Sequence, residues 1–284
     1  MPFRTFWAIL KTTAKISAEY KTNEVQSMTE KELKRQYKNK KQEAKNKYRL
    51  EKQNAKTDYA NGMEKVLNER KKSGVIDPPK RALLEEIGNA VTHGVGAVFA
   101  VVALLLMLFS SKSAVHTVAA CIYFFGAFIA FSMSCLYHAF PHGSAVKRLF
   151  RRFDYCSIYL LIGATFAPLL LAYVGGMYGL IFLIVQWTVI ATGITFIGVF
   201  GPTKLRGLHI ALYLILGWSA LIFMPTMLTN DLAFFLFILA GGVVYTLGII
   251  PFALKSKVSH FIWHFFVLAG AIVQWLGLYL YLYL

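Results

Sequence analysis

The sequence has few acidic residues, few cysteines and, after residue 82, little charge of either sign. The chain of 284 residues has 14 acidic against 30 basic side chains, and only four acidic and nine basic ones follow residue 82. In addition, 57% of its residues are hydrophobic, a fraction above the usual range of soluble proteins. The composition therefore indicates a membrane-embedded part that follows a charged, water-exposed N-terminal part.

The scarcity of cysteine and the excess of positive charge each argue against one class of protein. Cys121, Cys135 and Cys156 form no CxxC pair and lie in or beside apolar runs, so a disulfide framework is not expected. We expect these side chains to be buried in helices and to face a reducing compartment. The net charge of +16 has a simpler explanation in membrane orientation, so no nucleic acid is expected as a partner.

The first 82 residues are predicted to form a charged helical extension. Residues 2–16 have either the pattern of an amphipathic helix on an anionic membrane surface or that of a poorly ordered terminus. Residues 29–72 are rich in Lys, Glu, Gln and Ala and predict a long exposed helix with weak coiled-coil character. Thr29 and Glu32 have the spacing of a capping box, and residues 73–82 contain the glycine and prolines of a linker.

Seven apolar runs, each close to the length that crosses a bilayer, predict an all-α membrane domain over residues 83–284. Core helices of a soluble protein would not supply seven such runs with so few charges. The expected spans are 89–110, 114–136, 155–174, 178–200, 208–228, 232–254 and 261–284. The predicted fold class is thus a polytopic seven-transmembrane helix bundle with a charged N-terminal helical extension.

The distribution of Lys and Arg between the hinges predicts how the bundle is oriented in the membrane. The hinges on one side carry only Lys112, whereas those on the other side carry eight basic residues and share that side with the basic N-terminus. We therefore expect a multi-pass protein of the cell membrane with its N-terminus in the cytoplasm and, after seven spans, its C-terminus outside.

Polar side chains of the spans cluster at the predicted cytoplasmic side, where such groups are functional candidates by default. His260 and His264 are four residues apart, so they share one helix face, which suits two imidazoles on one metal ion. Ser134 and His138 have the same spacing. A third histidine would leave one position of a zinc tetrahedron open, as in catalytic sites. The cluster consists of Glu86, Asn89, Thr92, His93, Ser134, His138, Asp154, His260 and His264.

Each of these residues also has an ordinary structural interpretation. His138 fits the aromatic belt of a membrane interface, Asp154 fits a helix cap, and Ser134 fits a hydroxyl bonded to its own helix. Convergence on one side of the bundle favours a metal site, in which Asp154 would accept from the metal's water or from a ligand imidazole. The remaining histidines are expected to be ordinary interfacial residues: His116, His142 and His209.

Four blocks of the membrane part resemble the signature blocks of the hemolysin III family, the bacterial branch of the progestin and adiponectin receptor superfamily. The blocks are EIGNAVTH at 86–93, SCLYH at 134–138, DY at 154–155 and HFIWH at 260–264. The resemblance covers residues from about 83 to 284 and implies seven spans with a cytoplasmic N-terminus. The distance between the second block and its aspartate is short, and residues 1–82 are longer than expected for the bacterial branch.

The resemblance also implies roles for individual residues. His138, His260 and His264 would ligate zinc, Asp154 would hold the zinc-bound water, and Ser134 would be a polar neighbour of the site. The first block, from Glu86 to His93, would pack beside the site without ligating the metal.

Three functions are compatible with these features. The superfamily is similar to alkaline ceramidases, which favours zinc-dependent hydrolysis of a lipid amide or ester, with Asp154 acting on the water and Ser134 stabilising the oxyanion. The second function is a non-enzymatic membrane sensor or regulator linked to lipid homeostasis, in which zinc locks the bundle. The third is the cytolysis that the family name implies. Membrane lipids, including a substrate with an acyl chain, are the expected partners. The expected metal is zinc, and imidazole ligands also bind iron, copper or nickel.

Overall fold

The computed structural model describes residues 11, 15, 29–72, 77–254, 256 and 258–284. These residues form helices and their connections without any strand, and the chain divides into two compact units, Met1–Val75 and Ile76–Leu284. The predicted segment 2–16, apart from residues 11 and 15, and residues 73–76 of the predicted linker lie outside the described residues.

The N-terminal helix, Glu30–Lys72, is one exposed helix of 43 residues. It follows Thr29, whose hydroxyl and backbone N–H donate to the Glu32 carboxylate at 2.7 and 2.9 Å, as in one half of a capping box. These hydrogen bonds lower the pKa of Glu32. Because almost none of its surface is buried, helix propensity and capping, rather than packing, favour this conformation.

Among the described residues, seven helical segments are long and apolar enough to cross a membrane, which confirms the predicted seven-helix bundle. The third span changes to a π-helical turn directly after Pro168, and the fifth passes through a 3-10 turn at Ser219–Phe223. The orientation of the bundle in the membrane stays a prediction. The spans are Leu83–Phe109, Ala114–Ala139, Ala145–Val174, Gly176–Phe200, Arg206–Asn230, Leu232–Ala253 and Ser259–Tyr283.

Two spans begin well before the residues that the apolar runs predict. The first begins at Leu83 and not at residue 89. The third begins at Ala145 and not at residue 155, so Asp154 lies inside its helix instead of opening it. Lys147 and Arg151, which interrupt the apolar run, are buried in the bundle. The prediction was wrong here because mean hydropathy counts a charge against a span wherever its side chain points.

All three cysteines are free, as the lack of a CxxC pair predicts. The expectation that all of them are buried is wrong for Cys121, which is exposed, while Cys135 and Cys156 are half-buried. A thiol is apolar enough to face lipid, so its position in an apolar run does not decide whether it points outward or inward.

The spans pack through small residues that let two backbones approach closely. On the second span, a Cβ at Gly126 would lie 2.5 Å from the Leu160 carbonyl oxygen and 2.2 Å from the Ala164 Cβ of the third span. Because lipid tails are as apolar as the helices, such close contact supplies van der Waals energy where a hydrophobic driving force is missing. The contact between these two spans therefore requires glycine at position 126.

We expect Gly126→Ala to lower the free energy of unfolding by about 1–3 kcal/mol, because the new methyl group would overlap the third span. Thermal unfolding in detergent, followed by circular dichroism, measures the change. The matched control is Gly198→Ala, where nothing lies within 4 Å of the added Cβ. This control should be neutral or stabilising, since alanine is the better helix former. Equal stability of the two variants would contradict the packing argument.

Candidate metal centre

Three histidines from two spans meet at one end of the bundle. His138 lies in the last turn of the second span, and His260 and His264 lie one turn apart at the start of the seventh. The Nε2 atoms of His138 and His260 are 3.3 Å apart, and those of His260 and His264 are also 3.3 Å apart. Each of the three histidines offers one ring nitrogen as a ligand, and these three atoms lie within 4.8 Å of one another. Among the residues that the structure describes, this is the one group found with metal-binding spacing.

The spacing of these nitrogens fits a tetrahedral metal ion. With metal–nitrogen bonds of about 2.0–2.1 Å, two ligands of a tetrahedron lie about 3.3 Å apart. Two nitrogen pairs have this separation. His138 and His264 are buried and His260 is half-buried, so little water competes for the site. A set of three imidazoles suits zinc, iron, copper or nickel, and the structure does not decide between them.

Glu86 of the first span orients the imidazole of His138. Its Oε2 lies 2.5 Å from His138 Nδ1. A carboxylate can only accept, so we assign the proton to Nδ1, which leaves the lone pair of Nε2 free for a metal. The side-chain nitrogen of the buried Asn89 lies 3.3 Å from the same Nδ1. The sequence pattern predicts Asp154 as an acceptor for a ligand imidazole. In the structure the carboxylate that contacts the His138 imidazole is that of Glu86.

Lys147 of the third span contacts Glu86, and the sequence pattern did not predict this residue as part of the site. Its Nζ lies 3.0 Å from Glu86 Oε1 and donates to the carbonyl oxygens of Tyr137 and Phe140 at 3.0 and 2.9 Å. The buried ammonium therefore satisfies carbonyl groups that the second span leaves unpaired at its end, and it neutralises Glu86. The available signal was Ser144, which caps the third helix and would have placed Lys147 in its first turn.

His93 and Thr92 of the first span have different surroundings. The buried His93 ring stacks on the His264 ring, with centroids 3.8 Å apart and planes inclined by 22°, and packs edge-on against Phe131. His93 thus limits the orientations of His264 without belonging to the group with metal-binding spacing. The Thr92 hydroxyl donates to the Gly88 carbonyl of its own helix at 2.8 Å.

Ser134 and Asp154 line a cavity together with His260 and His264. The cavity has a volume of about 160 Å³ and is lined by residues of every span except the fourth. The Ser134 side chain lies beside that of Asp154. Away from the histidines the wall is mostly apolar and extends along the fifth span from Arg206 to Trp218, a helix length of about 18 Å. Asp154 and the two histidines of the metal cluster therefore lie at one end of a mostly apolar chamber.

The remaining histidines lie outside the metal cluster, but one of them differs from its expected place. His209 is buried in the cavity wall, and its Nδ1 lies 2.8 Å from the Tyr159 hydroxyl, so it is not an ordinary interfacial residue. His142 donates from Nε2 to the Pro78 carbonyl at 3.0 Å. His116 lies near the opposite end of the bundle, beside Ser113.

The membrane part of the chain matches known proteins. A family model described as Haemolysin-III related matches residues 81–275, a range that contains every residue of the candidate site. Hemolysin-3 of Bacillus cereus is 34% identical over 192 residues, which cover 66% of this chain and 87% of the relative. The Hemolysin-3 homolog of Bacillus subtilis (strain 168) is 32% identical over 192 residues, with 66% and 89% covered. The Monocyte to macrophage differentiation factor of Homo sapiens is 26% identical over 236 residues, with 79% and 95% covered.

Proposed function

Because the chain belongs to the haemolysin-III related family of membrane proteins, we propose that it is a zinc-dependent hydrolase of a lipid amide or ester and serves membrane lipid homeostasis. One observation carries this proposal: a carboxylate, a hydroxyl and two histidines of the metal cluster line the same end of an apolar cavity. A structural metal site would not require a cavity beside it, whereas a hydrolase needs room for its substrate.

His138, His260 and His264 would hold the zinc through their Nε2 atoms. A zinc ion bound by these three histidines would supply a Lewis acid that polarises a carbonyl and lowers the pKa of its water to about 7. The Glu86 carboxylate and the His93 ring would keep two of these imidazoles in place, since one holds His138 Nδ1 and the other stacks on His264.

Asp154 would act as the general base of the reaction. Its carboxylate faces the cavity that His260 and His264 also line, so a water between them is within reach of its oxygens. Ser134 lines the cavity beside this carboxylate, so its hydroxyl would donate to Asp154 and orient the base. After the carbon–nitrogen or carbon–oxygen bond breaks, Asp154 would return its proton to the leaving amine or alcohol.

The apolar wall would hold the acyl chain of the substrate. Ile158, Leu161, Ile162 and Phe166 of the third span face this chamber, which keeps water away from the chain. The cleavable polar bond would then lie at the histidine end, near the membrane surface, where lipids have their amide and ester groups. This match between the depth of the site and lipid chemistry supports a lipid substrate over a water-soluble one.

We expect Asp154→Asn to lower kcat by a factor of about 10²–10⁴ while the bound metal is unchanged, because the variant loses the proton acceptor but no ligand. The measurement is hydrolysis of a panel of ceramides and phospholipids by purified protein, with metal content determined on the same samples. Asp231→Asn, at the opposite end of the bundle, is the matched control and should keep full activity. Undiminished hydrolysis by Asp154→Asn, or no hydrolysis by a metal-loaded wild type, would reject the proposal.

A non-enzymatic sensor or regulator is the second candidate, and the Glu86–Lys147 contact favours it. A metal on the three histidines would tie the second span to the seventh, while Glu86 and Lys147 tie the second to the first and third. Metal-dependent stability without hydrolysis of any lipid would support this function. Cytolysis has no comparable support among the described residues, since the metal-binding histidines and Asp154 gather at one end and do not line a path through the bundle.

A further inference from the structure

The N-terminal helix carries much of its positive charge on one face. Seven basic residues recur at intervals of three or four positions, which is the spacing of neighbours on one helix face. All seven are exposed, and from the first to the last they extend over about 33 Å. We call them the basic stripe: Lys34, Lys38, Lys41, Lys45, Arg49, Lys52 and Lys56.

Acidic residues do not neutralise the basic stripe from within its own face. Between Lys34 and Lys56 the acidic residues are Glu43 and Glu51. Glu43 is two positions from both of its neighbours in the stripe, and Glu51 is one position from Lys52, spacings at which side chains do not face each other. Lys34 contacts Glu30 at one end of the stripe. The helix is therefore polarised, with an excess of cations on one side.

Tyrosines border the basic stripe. The Nζ of Lys41 lies 6.0 Å from the centre of the Tyr37 ring, and the Nζ of Lys52 lies 6.0 Å from that of Tyr48. These rings are 53% and 42% exposed, so they do not serve a protein core in this unit. Tyrosine rings favour the headgroup region of a bilayer, and lysine stems reach across apolar surface to place their charge there.

We propose that the N-terminal helix binds the headgroup surface of an anionic bilayer through the basic stripe. The helix ends at Lys72 and the first span begins at Leu83, so the intervening chain can extend over at most roughly 40 Å. This tether keeps a membrane surface at high effective concentration. The positive face meets anionic lipids, and the tyrosines at its border enter the headgroup layer. The interaction does not depend on the hydrolase proposal.

Two other occupants fit the same face less well. Pairing with a second copy is opposed by repulsion between the cations. The apolar positions beside the stripe are mostly Tyr and Ala, with Leu33 and Met63 only at the ends, and not the repeated Leu and Ile of stable coiled coils. A nucleic acid has the right charge, but it lacks the tether that keeps a bilayer close.

The test is chymotrypsin digestion of the full chain in nanodiscs, which expose both faces of the bilayer. Chymotrypsin cleaves after Tyr37, Tyr48 and Tyr59, which remain in every variant. In discs of phosphatidylcholine with phosphatidylglycerol we expect cleavage at these sites about tenfold slower than in discs of phosphatidylcholine alone. High salt should remove the difference, since surface attraction of this kind is screened.

Two triple variants lose the same number of charges from different faces. Lys38→Gln, Lys45→Gln and Lys52→Gln together should remove most of the protection by anionic lipid, because they take away three of the seven charges of the basic stripe. The control combines Arg35→Gln, Lys47→Gln and Lys65→Gln, which lie off the stripe, and should keep it. Glutamine is a good helix former, so both variants retain the helix.

Three results would overturn the proposal. The first is equal cleavage in neutral and anionic discs. The second is protection by single-stranded RNA in neutral discs without any protection by phosphatidylglycerol, which would assign the face to nucleic acid. The third is protection in neutral discs that grows with the number of chains per disc, which would assign the face to pairing between copies.

Discussion

Replacing His260 and His264 together by alanine should reduce the bound metal from about one ion per chain to almost none. The Nε2 atom of His260 lies 3.3 Å from those of both His138 and His264, so the double variant loses two of the three ligands, and one remaining imidazole cannot hold zinc tightly. Elemental mass spectrometry of protein purified in detergent measures the metal and identifies it. The result would also decide whether zinc, iron, copper or nickel occupies the site.

The matched control for this experiment is the double variant His116→Ala/His142→Ala. It removes the same number of imidazoles. In the wild type the ring nitrogens of these two histidines contact Ser113 and the Pro78 carbonyl, neither of which belongs to the cluster. This variant should keep its metal. Chelation of the wild type should lower the midpoint of thermal unfolding, because a ligand that binds only the folded state stabilises it. If the folded wild type binds no metal even after zinc is supplied, the three histidines form a polar packing cluster and not a metal site.

Lys147→Met should lower the free energy of unfolding by about 3–5 kcal/mol, the cost of breaking a buried ion pair by removing one partner. The substitution leaves the Glu86 carboxylate, whose side chain is 13% exposed, without its counterion. It also leaves the carbonyls of Tyr137 and Phe140 without their donor. Thermal or denaturant unfolding in detergent measures the loss.

The control for Lys147→Met is Arg152→Met, an exposed basic residue of the same helix, which should change stability by less than about 0.5 kcal/mol. A second variant, Lys147→Met with Glu86→Gln, should recover part of the loss because it also removes the unpaired charge. If Lys147→Met is no less stable than Arg152→Met, the buried pair does not support the histidine site as we describe.

Local pattern in the sequence predicted the number of spans and the histidine pair, but not all boundaries. Apolar runs of about twenty residues are a property of contiguous chain, so the seven spans follow from hydropathy. The start of the third span did not follow from hydropathy, because Lys147 and Arg151 are buried in the bundle. An average of hydropathy along the chain does not depend on the direction in which a side chain points. The same limitation explains the wrong expectation for Cys121.

The candidate site divides in the same way between local and distant information. The four-residue spacing of His260 and His264 places them on one helix face whatever the rest of the fold does. The partner of His138 could not be inferred in this way, since Glu86 and Asp154 are both carboxylates on the same side of the membrane. The cavity, and the burial of His209 in its wall, depend on six spans at once.

By itself, the sequence determined the seven-helix architecture, the long charged helix with its cations on one face, and the HxxxH pair, because each of these is a periodicity along neighbouring residues. Only the tertiary structure decided that Glu86 contacts His138 and that His138 meets His260, contacts that join residues 52 and 122 positions apart. Such contacts depend on which helix faces pack together, and packing is settled by close approach of whole side chains, as at Gly126, and not by any local pattern.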